Sequence, residues 1–228
     1  MKRNAFHLLV AIAFIAGCGG GGGDSAPASV SAEGGLGIPS GTYAIDPGHA
    51  YVTFSYLHQG LSYPLLRANS VDGELELDTG AMENSRANIA IRADSIRTNT
   101  DYFDAELASP KFFNAGKYPH ITFTTERYEP TADMAGKLHG TVTIRGITKP
   151  LTLDVTINGA MEHPMSGTPV IGVSANGFVN RSDFELDRFI PAVADRVDIA
   201  IEAEFQAGSS ESSQAAAALA SGAVADSD

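Results

Sequence analysis

The chain has 228 residues, a formal net charge of -12, and 15 lysine and arginine residues that form no basic stripe, which argues against nucleic acid as a partner. Its single cysteine excludes an intramolecular disulfide. The length suits one β-barrel or β-sandwich domain with a sizeable core.

The first 17 residues have the organisation of a lipoprotein signal peptide. Lys2 and Arg3 precede an apolar run over residues 6–15 that is too short to span a bilayer. Residues 15–18, Ile-Ala-Gly-Cys, resemble the bacterial lipoprotein box, in which the cysteine becomes the lipidated first residue. We therefore expect a periplasmic protein with a lipid anchor at Cys18, and Gly19 favours the outer membrane by analogy. An ordinary secretory signal with an incidental cysteine is the alternative.

Two further segments have compositions that do not support folding. Residues 18–40 contain five consecutive glycines followed by Ser, Ala, Gly and Pro, which predicts a flexible tether. Residues 207–228 are acidic and rich in Ser and Ala, which predicts a disordered tail. A short helix over residues 214–219 is the alternative, with little apolar surface to dock. The folded domain is expected over residues 41–206.

Most of that domain alternates apolar and polar residues with a period of two, which predicts antiparallel strands. In residues 71–78, for example, Leu75 and Leu77 alternate with Glu74 and Glu76. Asp46-Pro47-Gly48 is predicted to stop the first strand. The predicted strands are residues 42–45, 50–58, 71–78, 87–93, 120–128, 138–146, 150–158, 170–179 and 195–205.

One segment departs from this period, because residues 98–109 predict a short helix that Thr98 or Thr100 caps and Pro110 follows. This helix is expected to plug or flank one end of the barrel, with Phe112 and Phe113 buried near the same end. Gly172 and Gly177 are predicted to mark bulges or close approaches. The fold class is therefore mainly β, a single antiparallel barrel of about eight strands with one short helix.

Six sequence blocks occur in the order typical of one known family. They are YAIDPGHA at residues 43–50, Phe54 with HQGLS at 58–62, DSIRTN at 94–99, FFNAGKYPHITF at 112–123, GTVTIRGITKPL at 140–151, and NRSDF at 180–184 with DRV at 195–197. Together they resemble the YceI-like proteins, periplasmic lipocalin-like barrels associated with polyisoprenoid binding. The resemblance implies a lipocalin-like barrel with an isoprenoid ligand.

Two positions depart from that family pattern. Residues 106–108 are Glu-Leu-Ala where the family usually has a His-Leu-Arg-like element, and Glu185 stands where a glycine usually follows Asp-Phe. If the missing His and Arg hold a polar head group in the family, the ligand of this chain has a different head group or none.

The predicted ligand site is a tube of inward-facing apolar side chains with a polar mouth. His58 and Arg181 are expected to position a head group at the mouth. A solvent-facing His58, and an Arg181–Asp pair that closes a bulge, are the structural alternatives. The predicted ligand-binding residues are Val52, Phe54, His58, Leu75, Ile89, Ile91, Phe112, Phe113, Ile121, Phe123, Ile144, Phe178, Arg181 and Phe184.

We expect no catalytic residue, no metal site and no cofactor. The chain has no G-x-S-x-G or H-E-x-x-H motif, and the histidines of the mature chain have no i, i+2 or i, i+4 spacing. The acidic cluster of Asp101, Asp104 and Glu106 is interpreted as a solvated helix face rather than an acid–base pair.

The expected function is therefore non-catalytic binding, sequestration or transport of a long-chain isoprenoid or similar amphiphilic lipid in the bacterial cell envelope. One alternative is an envelope stress or interaction scaffold whose barrel is filled by its own side chains. An enzyme would need histidines and carboxylates that converge in one cleft, which the spacing does not predict. An edge-strand homodimer is compatible with the sequence, and no feature decides for it.

Overall fold

The computed structural model describes residues 35–208. The predicted signal peptide, Cys18, most of the predicted tether and the tail from residue 209 lie outside the described residues. The described elements are β1 Gly41–Ser55, β2 Leu65–Ala68, β3 Val71–Leu77, β4 Arg86–Arg92, β5 Ile96–Arg97, α1 Asp101–Ala108, β6 His120–Ala132, β7 Ala135–Ile144, β8 Ile147–Glu162, β9 Pro169–Asn180 and β10 Arg196–Ala207.

The strands form one closed antiparallel barrel. The order around it is β10-β9-β8-β7-β6-β4-β3-β1, and pairing of β1 with β10 closes the sheet. β1 pairs with β3 through its first residues and with β2 through its last, so β2 and β3 share one position in the barrel. The prediction of a barrel of about eight strands with one short helix is confirmed.

Alternation along the strands separates the core from the solvent. In β8, Leu151, Leu153 and Ile157 are buried, whereas Thr152 and the other residues between them are mostly exposed. Because successive strand side chains point to opposite faces, the apolar set of each strand faces the barrel interior.

β1 is one continuous strand, so the prediction that Asp46 ends it is wrong. Ile45 pairs with Phe205 and Ala50 pairs with Ala203, which leaves the intervening residues of β1 as a bulge. Asp46 holds this bulge closed, because its carboxylate accepts hydrogen bonds from the Gly48 backbone amide and the Gln206 side chain, both at 2.8 Å. The chain can therefore rejoin β10 after the bulge instead of leaving the sheet.

The helix is shorter than predicted and begins at Asp101. The Thr100 hydroxyl accepts a hydrogen bond from the Phe103 amide and caps α1. Thr98 instead donates its amide and its hydroxyl to the Asp104 carboxylate, at 2.6 and 2.7 Å. Among the described residues, no helix has the length and apolar character needed to cross a membrane.

Two other details differ from the sequence prediction. The bulge near Gly172 lies on the opposing strand, between Ile157 and Gly159 of β8, whereas Gly177 is a close approach to β8, as the sequence predicts. Ile38, within the range predicted as tether, is only 7% exposed, because its apolar side chain packs against the end of the core.

Candidate functional site

The barrel interior contains a cavity of about 580 Å³. Inward-facing side chains from all eight barrel strands line it, and nearly all of them are apolar. A volume of this size falls within the range of small-molecule binding pockets. The alternative of a barrel filled by its own side chains does not agree with this cavity.

With one exception, the residues predicted to bind the ligand lie in the wall of this cavity. They reach it from several barrel strands, from the segment after α1 and from the connection between β9 and β10. They are Val52, Phe54, His58, Leu75, Ile89, Ile91, Phe112, Phe113, Ile121, Phe123, Ile144, Arg181 and Phe184. Their contact with a ligand stays a prediction.

The exception is Phe178, which the structure places on the outer face of the barrel. Its side chain is 47% exposed, and the Arg196 guanidinium lies 3.7 Å from the centre of its ring. The strand alternation explains this position, because Val179 lines the cavity and the residue before it must point outward. The prediction that Phe178 lines the ligand tube is wrong.

The sequence-derived set leaves out other wall residues. Leu153, Val155 and Val173 lie on the inward face of their strands, and the same alternation would have identified them. Leu186 and Val193 belong to the long connection between β9 and β10, where no periodic pattern indicates which side chains turn inward.

The cavity reaches solvent at one end of the barrel. The exposed wall residues are Leu65, Asn99, Thr100, Arg188 and Phe189. All five lie in or beside the connections at the end of the barrel where β1 ends and β10 begins. We call this end the mouth.

At the opposite end of the barrel the wall residues are buried or half-buried. Leu77, Ser85 and Tyr128 are all less than 9% exposed there. The cavity is therefore closed at the end away from the mouth.

Helix α1 flanks the mouth end rather than plugging the barrel. Phe103 and Leu107 of α1 lie in the cavity wall, and the Phe103 ring packs edge-on against Phe112 with their centroids 6.1 Å apart. The Arg145 side chain donates to the Phe112 carbonyl and ties the turn between β7 and β8 to this segment. The aromatic cluster forms a fixed part of the wall.

Arg181 organises the connection between β9 and β10 instead of presenting a free charge. Its guanidinium donates to the carbonyl oxygens of Leu186, Arg188, Val193 and Ala194 at 2.6 to 2.9 Å. The alternative Arg–Asp pair does not describe this arrangement, and the contact between Arg181 and a head group stays a prediction. Burial lowers the pKa of Arg181, partly offset by Asp195, Tyr56 and Asp187.

Two polar side chains near the mouth have unused hydrogen-bonding capacity. Tyr56 and His58 lie in the cavity wall, half-buried, and their phenol and imidazole form no hydrogen bond within residues 35–208. Burial raises the pKa of Tyr56, with a smaller opposing effect from Arg181, so the phenol stays protonated as a donor at neutral pH. A polar head group at the mouth has these two partners available.

At the closed end, the cation in the wall is already engaged. Arg86 donates to the backbone carbonyl oxygens of Glu83 at 2.7 Å and Ser85 at 2.8 Å. This half-buried guanidinium holds the backbone of the connection between β3 and β4 through one of its two terminal nitrogens.

Carboxylates and histidines of the described residues converge away from the cavity. Asp46, His49 and Glu204 are the one group there with metal-ligand spacing, and they lie on the outer surface at the β1 bulge. The Asp46 carboxylate is hydrogen-bonded to Gly48, His49 and Gln206, so its position is explained by its role in the β1 bulge.

The predicted acidic cluster of α1 is also accounted for. Asp104 accepts two hydrogen bonds from Thr98, which lower its pKa, and Glu106 lies 3.6 Å from Lys111. These two carboxylates hold the ends of α1, so the interpretation as a solvated helix face applies only to the exposed Asp101.

Comparison with known sequences gives one clear family. A sequence model described as the YceI-like domain matches residues 43–205. Protein YceI of Escherichia coli O6:H1 is 30% identical over 156 residues, which cover 68% of this chain and 81% of that protein.

Solved structures show the same fold. A YceI protein of Campylobacter jejuni superposes with a TM-score of 0.62 and 30% identity, covering 67% of this chain and 90% of its own. A domain from Saccharophagus degradans, described as a polyisoprenoid binding domain, superposes with a TM-score of 0.56 and 14% identity, covering 73% of this chain and 98% of its own.

Proposed function

The chain belongs to the YceI-like family, and from this premise we propose that its barrel binds and carries a long-chain isoprenoid or similar amphiphilic lipid without catalysing a reaction on it. The bacterial cell envelope is the proposed place of this activity. The observation that carries the proposal is the apolar cavity of about 580 Å³ with its single mouth.

Burial of a hydrocarbon tail in such a cavity supplies enough free energy for binding. A tail that loses about 400 Å² of exposed surface gains on the order of 10 kcal/mol at roughly 25 cal/mol per Å². The costs of association and ordering remove a large part of this gain. The remainder is compatible with micromolar or tighter binding and needs no strong polar contact.

The name of the Saccharophagus degradans neighbour supports the same class of ligand. That protein is described as a polyisoprenoid binding domain, and it shares the fold of this chain. At 14% identity the similarity concerns the architecture, so the ligand class of this chain depends on its own cavity.

We propose further that the lipid head group is neutral and polar, such as a quinone, an alcohol or an amide. At the mouth, Arg181 donates to four backbone carbonyls and the exposed Arg188 guanidinium lies over the Phe189 ring, whereas Tyr56 and His58 offer free hydrogen-bonding groups. An anionic phosphate head would need a counter-charge to offset its desolvation. Stronger binding of a prenyl phosphate than of the matching prenyl alcohol would contradict this part of the proposal.

The decisive experiment is gentle purification followed by organic extraction and mass spectrometry. We expect a co-purified amphiphile with a long hydrocarbon chain, and saturable uptake of a prenyl quinone by the delipidated protein. No extracted lipid together with no uptake of prenyl quinones, prenyl alcohols or prenyl phosphates would refute carriage.

The proposed attachment to the outer membrane depends on the sequence of the signal peptide. Metabolic labelling with a fatty-acid analogue should mark the wild-type chain and leave the Cys18→Ser variant unlabelled. Labelling of neither chain would support the ordinary secretory signal instead, and it would not affect the proposal for the cavity.

A further inference from the structure

We propose that the mouth of the barrel docks on the surface of a lipid bilayer through a rim of exposed apolar side chains. We define this mouth rim as Leu61, Tyr63, Leu65, Tyr102 and Phe189. The docking rests on the proposed function for its purpose, because a carrier of membrane lipids must exchange them at a bilayer. Its physical argument comes from the exposure, backbone support and charge of the rim.

The exposed apolar side chains are concentrated around the mouth. Leu61 is 82% exposed, Tyr63 67%, Leu65 64%, Tyr102 78% and Phe189 56%. Leu65 and Phe189 also lie in the cavity wall, so the rim is continuous with the lining of the cavity. Apolar surface clustered in this way marks a site of interaction, whereas isolated exposed residues do not.

The rim is built on well-connected backbone. The Gln59 amide donates to the Ala192 carbonyl at 2.9 Å, and the Ala194 amide donates to the Leu57 carbonyl at 3.0 Å. These bonds join the connection between β1 and β2 to the connection between β9 and β10, which Arg181 holds from within. The two connections therefore present Leu61, Tyr63 and Phe189 as one surface.

The uncharged tip of the mouth rim favours a bilayer as the occupant. The connection carrying Leu61 and Tyr63, residues 56–64, contains no acidic residue, lysine or arginine, so its tip can enter the interface without desolvating a charge. Within the described part of the chain, every connection that carries a lysine or arginine lies at the mouth end. These residues are Lys111, Lys117, Arg145, Arg181 and Arg188. The mouth end also carries acidic residues, which are Asp94, Asp183, Glu185, Asp187 and Asp195 in its connections and Asp101, Asp104 and Glu106 in α1.

The connections at the closed end carry only acidic charge. Residues 78–85, 133–134 and 163–168 contain Asp78, Glu83 and Asp133 and no lysine or arginine. The two ends differ in that only the mouth offers basic side chains to an anionic surface, and its acidic side chains lie outside the uncharged tip at residues 56–64. Tyrosine, leucine and phenylalanine around such a tip are typical of interfacial membrane contacts.

The absence of tryptophan from the chain permits a direct test. Single-tryptophan versions of the full chain, Tyr63→Trp and Tyr102→Trp at the mouth and Met165→Trp at the closed end, are mixed with vesicles of phosphatidylcholine and phosphatidylglycerol that contain brominated lipid. Met165 is 91% exposed and serves as the matched control. Because each tryptophan reports its own depth, any attachment through the N-terminal segment does not affect the comparison.

We expect quenching and a blue shift of the tryptophans at the mouth and neither effect at Met165→Trp. Adding Leu61→Ser and Tyr63→Ser to the Tyr102→Trp chain should weaken vesicle binding about tenfold or more, because it removes apolar surface from the interface. Neither Leu61 nor Tyr63 lies in the cavity wall, so lipid carriage should persist in this variant. Serine at Met161 and Met165, which are 59% and 91% exposed at the other end, should not change binding.

Three outcomes would overturn the proposal. The first is equal quenching at both ends, and the second is no quenching at the mouth. The third is a molecular mass that doubles as the protein concentration rises, with the doubling abolished by substitution of Leu61 and Tyr63. That result would assign the rim to a second copy of the chain. Lipid extraction separates the two proposals, since a chain that retains lipid but fails to dock refutes only the docking. A chain that docks but neither holds nor takes up lipid refutes the proposed carriage.

Discussion

At the scale of single residues, Arg181 shows how a side chain expected to bind a ligand serves the fold instead. Its guanidinium accounts for four hydrogen bonds to carbonyl oxygens of the connection between β9 and β10. Those carbonyls have few other donors, because the connection forms almost no regular structure. The residue therefore determines the shape of one side of the mouth.

We expect Arg181→Met to destabilise the protein by about 2–4 kcal/mol, since several charge-assisted hydrogen bonds are lost and their acceptors stay partly buried. Arg181→Lys should recover only a minor part, because an ammonium group cannot reproduce the planar fork. Urea denaturation measures both variants, with Arg188→Met in the same connection as the control. Unchanged stability with weakened lipid binding would instead identify Arg181 as a head-group residue.

Glu185 stands in the left-handed region with a φ of 58°, a conformation that favours glycine. We expect Glu185→Gly to stabilise the protein by about 0.5–1 kcal/mol, because a residue with a Cβ costs more there than the added chain entropy of glycine. Glu185→Ala removes the charge and keeps the Cβ, so it should give no such gain. A comparable rise for both variants would assign the effect to charge.

At the scale of elements, the β1 bulge joins two halves of one strand. Odd-numbered residues point inward before the bulge, and even-numbered residues point inward after it. Tyr43 and Ile45 point inward before the bulge, and Val52 and Phe54 point inward after it. Sequence alternation predicted both halves as strands, although the second half ends at Ser55 rather than at residue 58. It could not predict their continuity, because that depends on hydrogen bonds that the Asp46 carboxylate accepts from the Gly48 amide and from the Gln206 side chain of β10, which is far away in the sequence.

The bulge should make stability depend on pH in a defined window. The hydrogen bonds of the Asp46 carboxylate, above all the one with His49, lower the pKa of Asp46 below its ordinary value of 3.8. The hydrogen bond with Asp46 and the nearby charge of Glu204 raise the pKa of His49 above 6.5. The Asp46 contribution is present above pH 3.8 and is lost as pH falls below it. The His49 contribution is present below pH 6.5 and is lost as pH rises through the elevated pKa.

We therefore expect the difference in unfolding free energy between the wild type and Asp46→Asn to be largest between pH 3.8 and 6.5. The difference in unfolding free energy between the wild type and His49→Gln should shrink as the pH rises above 6.5. At lower pH it should persist until Asp46 becomes protonated. Denaturant titrations at a series of pH values measure both. Differences that stay constant across this range would show that the pair does not couple to folding.

The pairing of β6 with β7 depends on a close approach at Gly140. A Cβ there would lie 2.2 Å from the Thr124 carbonyl oxygen and 2.9 Å from the Phe123 ring. We expect Gly140→Ala to destabilise the protein by about 2–3 kcal/mol, because the backbone must separate and the core must repack. Gly159→Ala, at a bulge with no atom within 4 Å, is the matched control for thermal unfolding. Equal effects at the two sites would refute the steric explanation.

At the scale of the whole molecule, the period-two pattern predicts the architecture and most of the cavity wall, because in a small barrel the inward face of every strand is also the lining. The apolar character of Phe178 predicts an inward position, but the residue follows the inward-facing Gly177 in the strand alternation and therefore points outward. The mouth could not be predicted in the same way. Arg181 contacts the carbonyl oxygens of Leu186 and Val193 and that of Arg188, which precedes Phe189, and no local sequence pattern encodes these positions.

The hollow interior gives the last prediction, because a cavity can be reduced from within while the outer surface stays unchanged. Val155 and Val173 point inward yet are only half-buried, since their side chains face the cavity. Val155→Phe with Val173→Phe should displace part of the tail. Excluding about 60 Å² of its surface costs roughly 1.5 kcal/mol, or about a tenfold loss of affinity.

Titration of the delipidated protein with a prenyl quinone measures this loss. Phe178→Ala, on the outer face, should bind as the wild type does. Because bound lipid stabilises only the folded state, saturating quinone should also raise the thermal midpoint of the wild type more than that of the double variant. A folded double variant with undiminished affinity would place the lipid outside the barrel, since no tail can occupy space that two phenyl rings already fill.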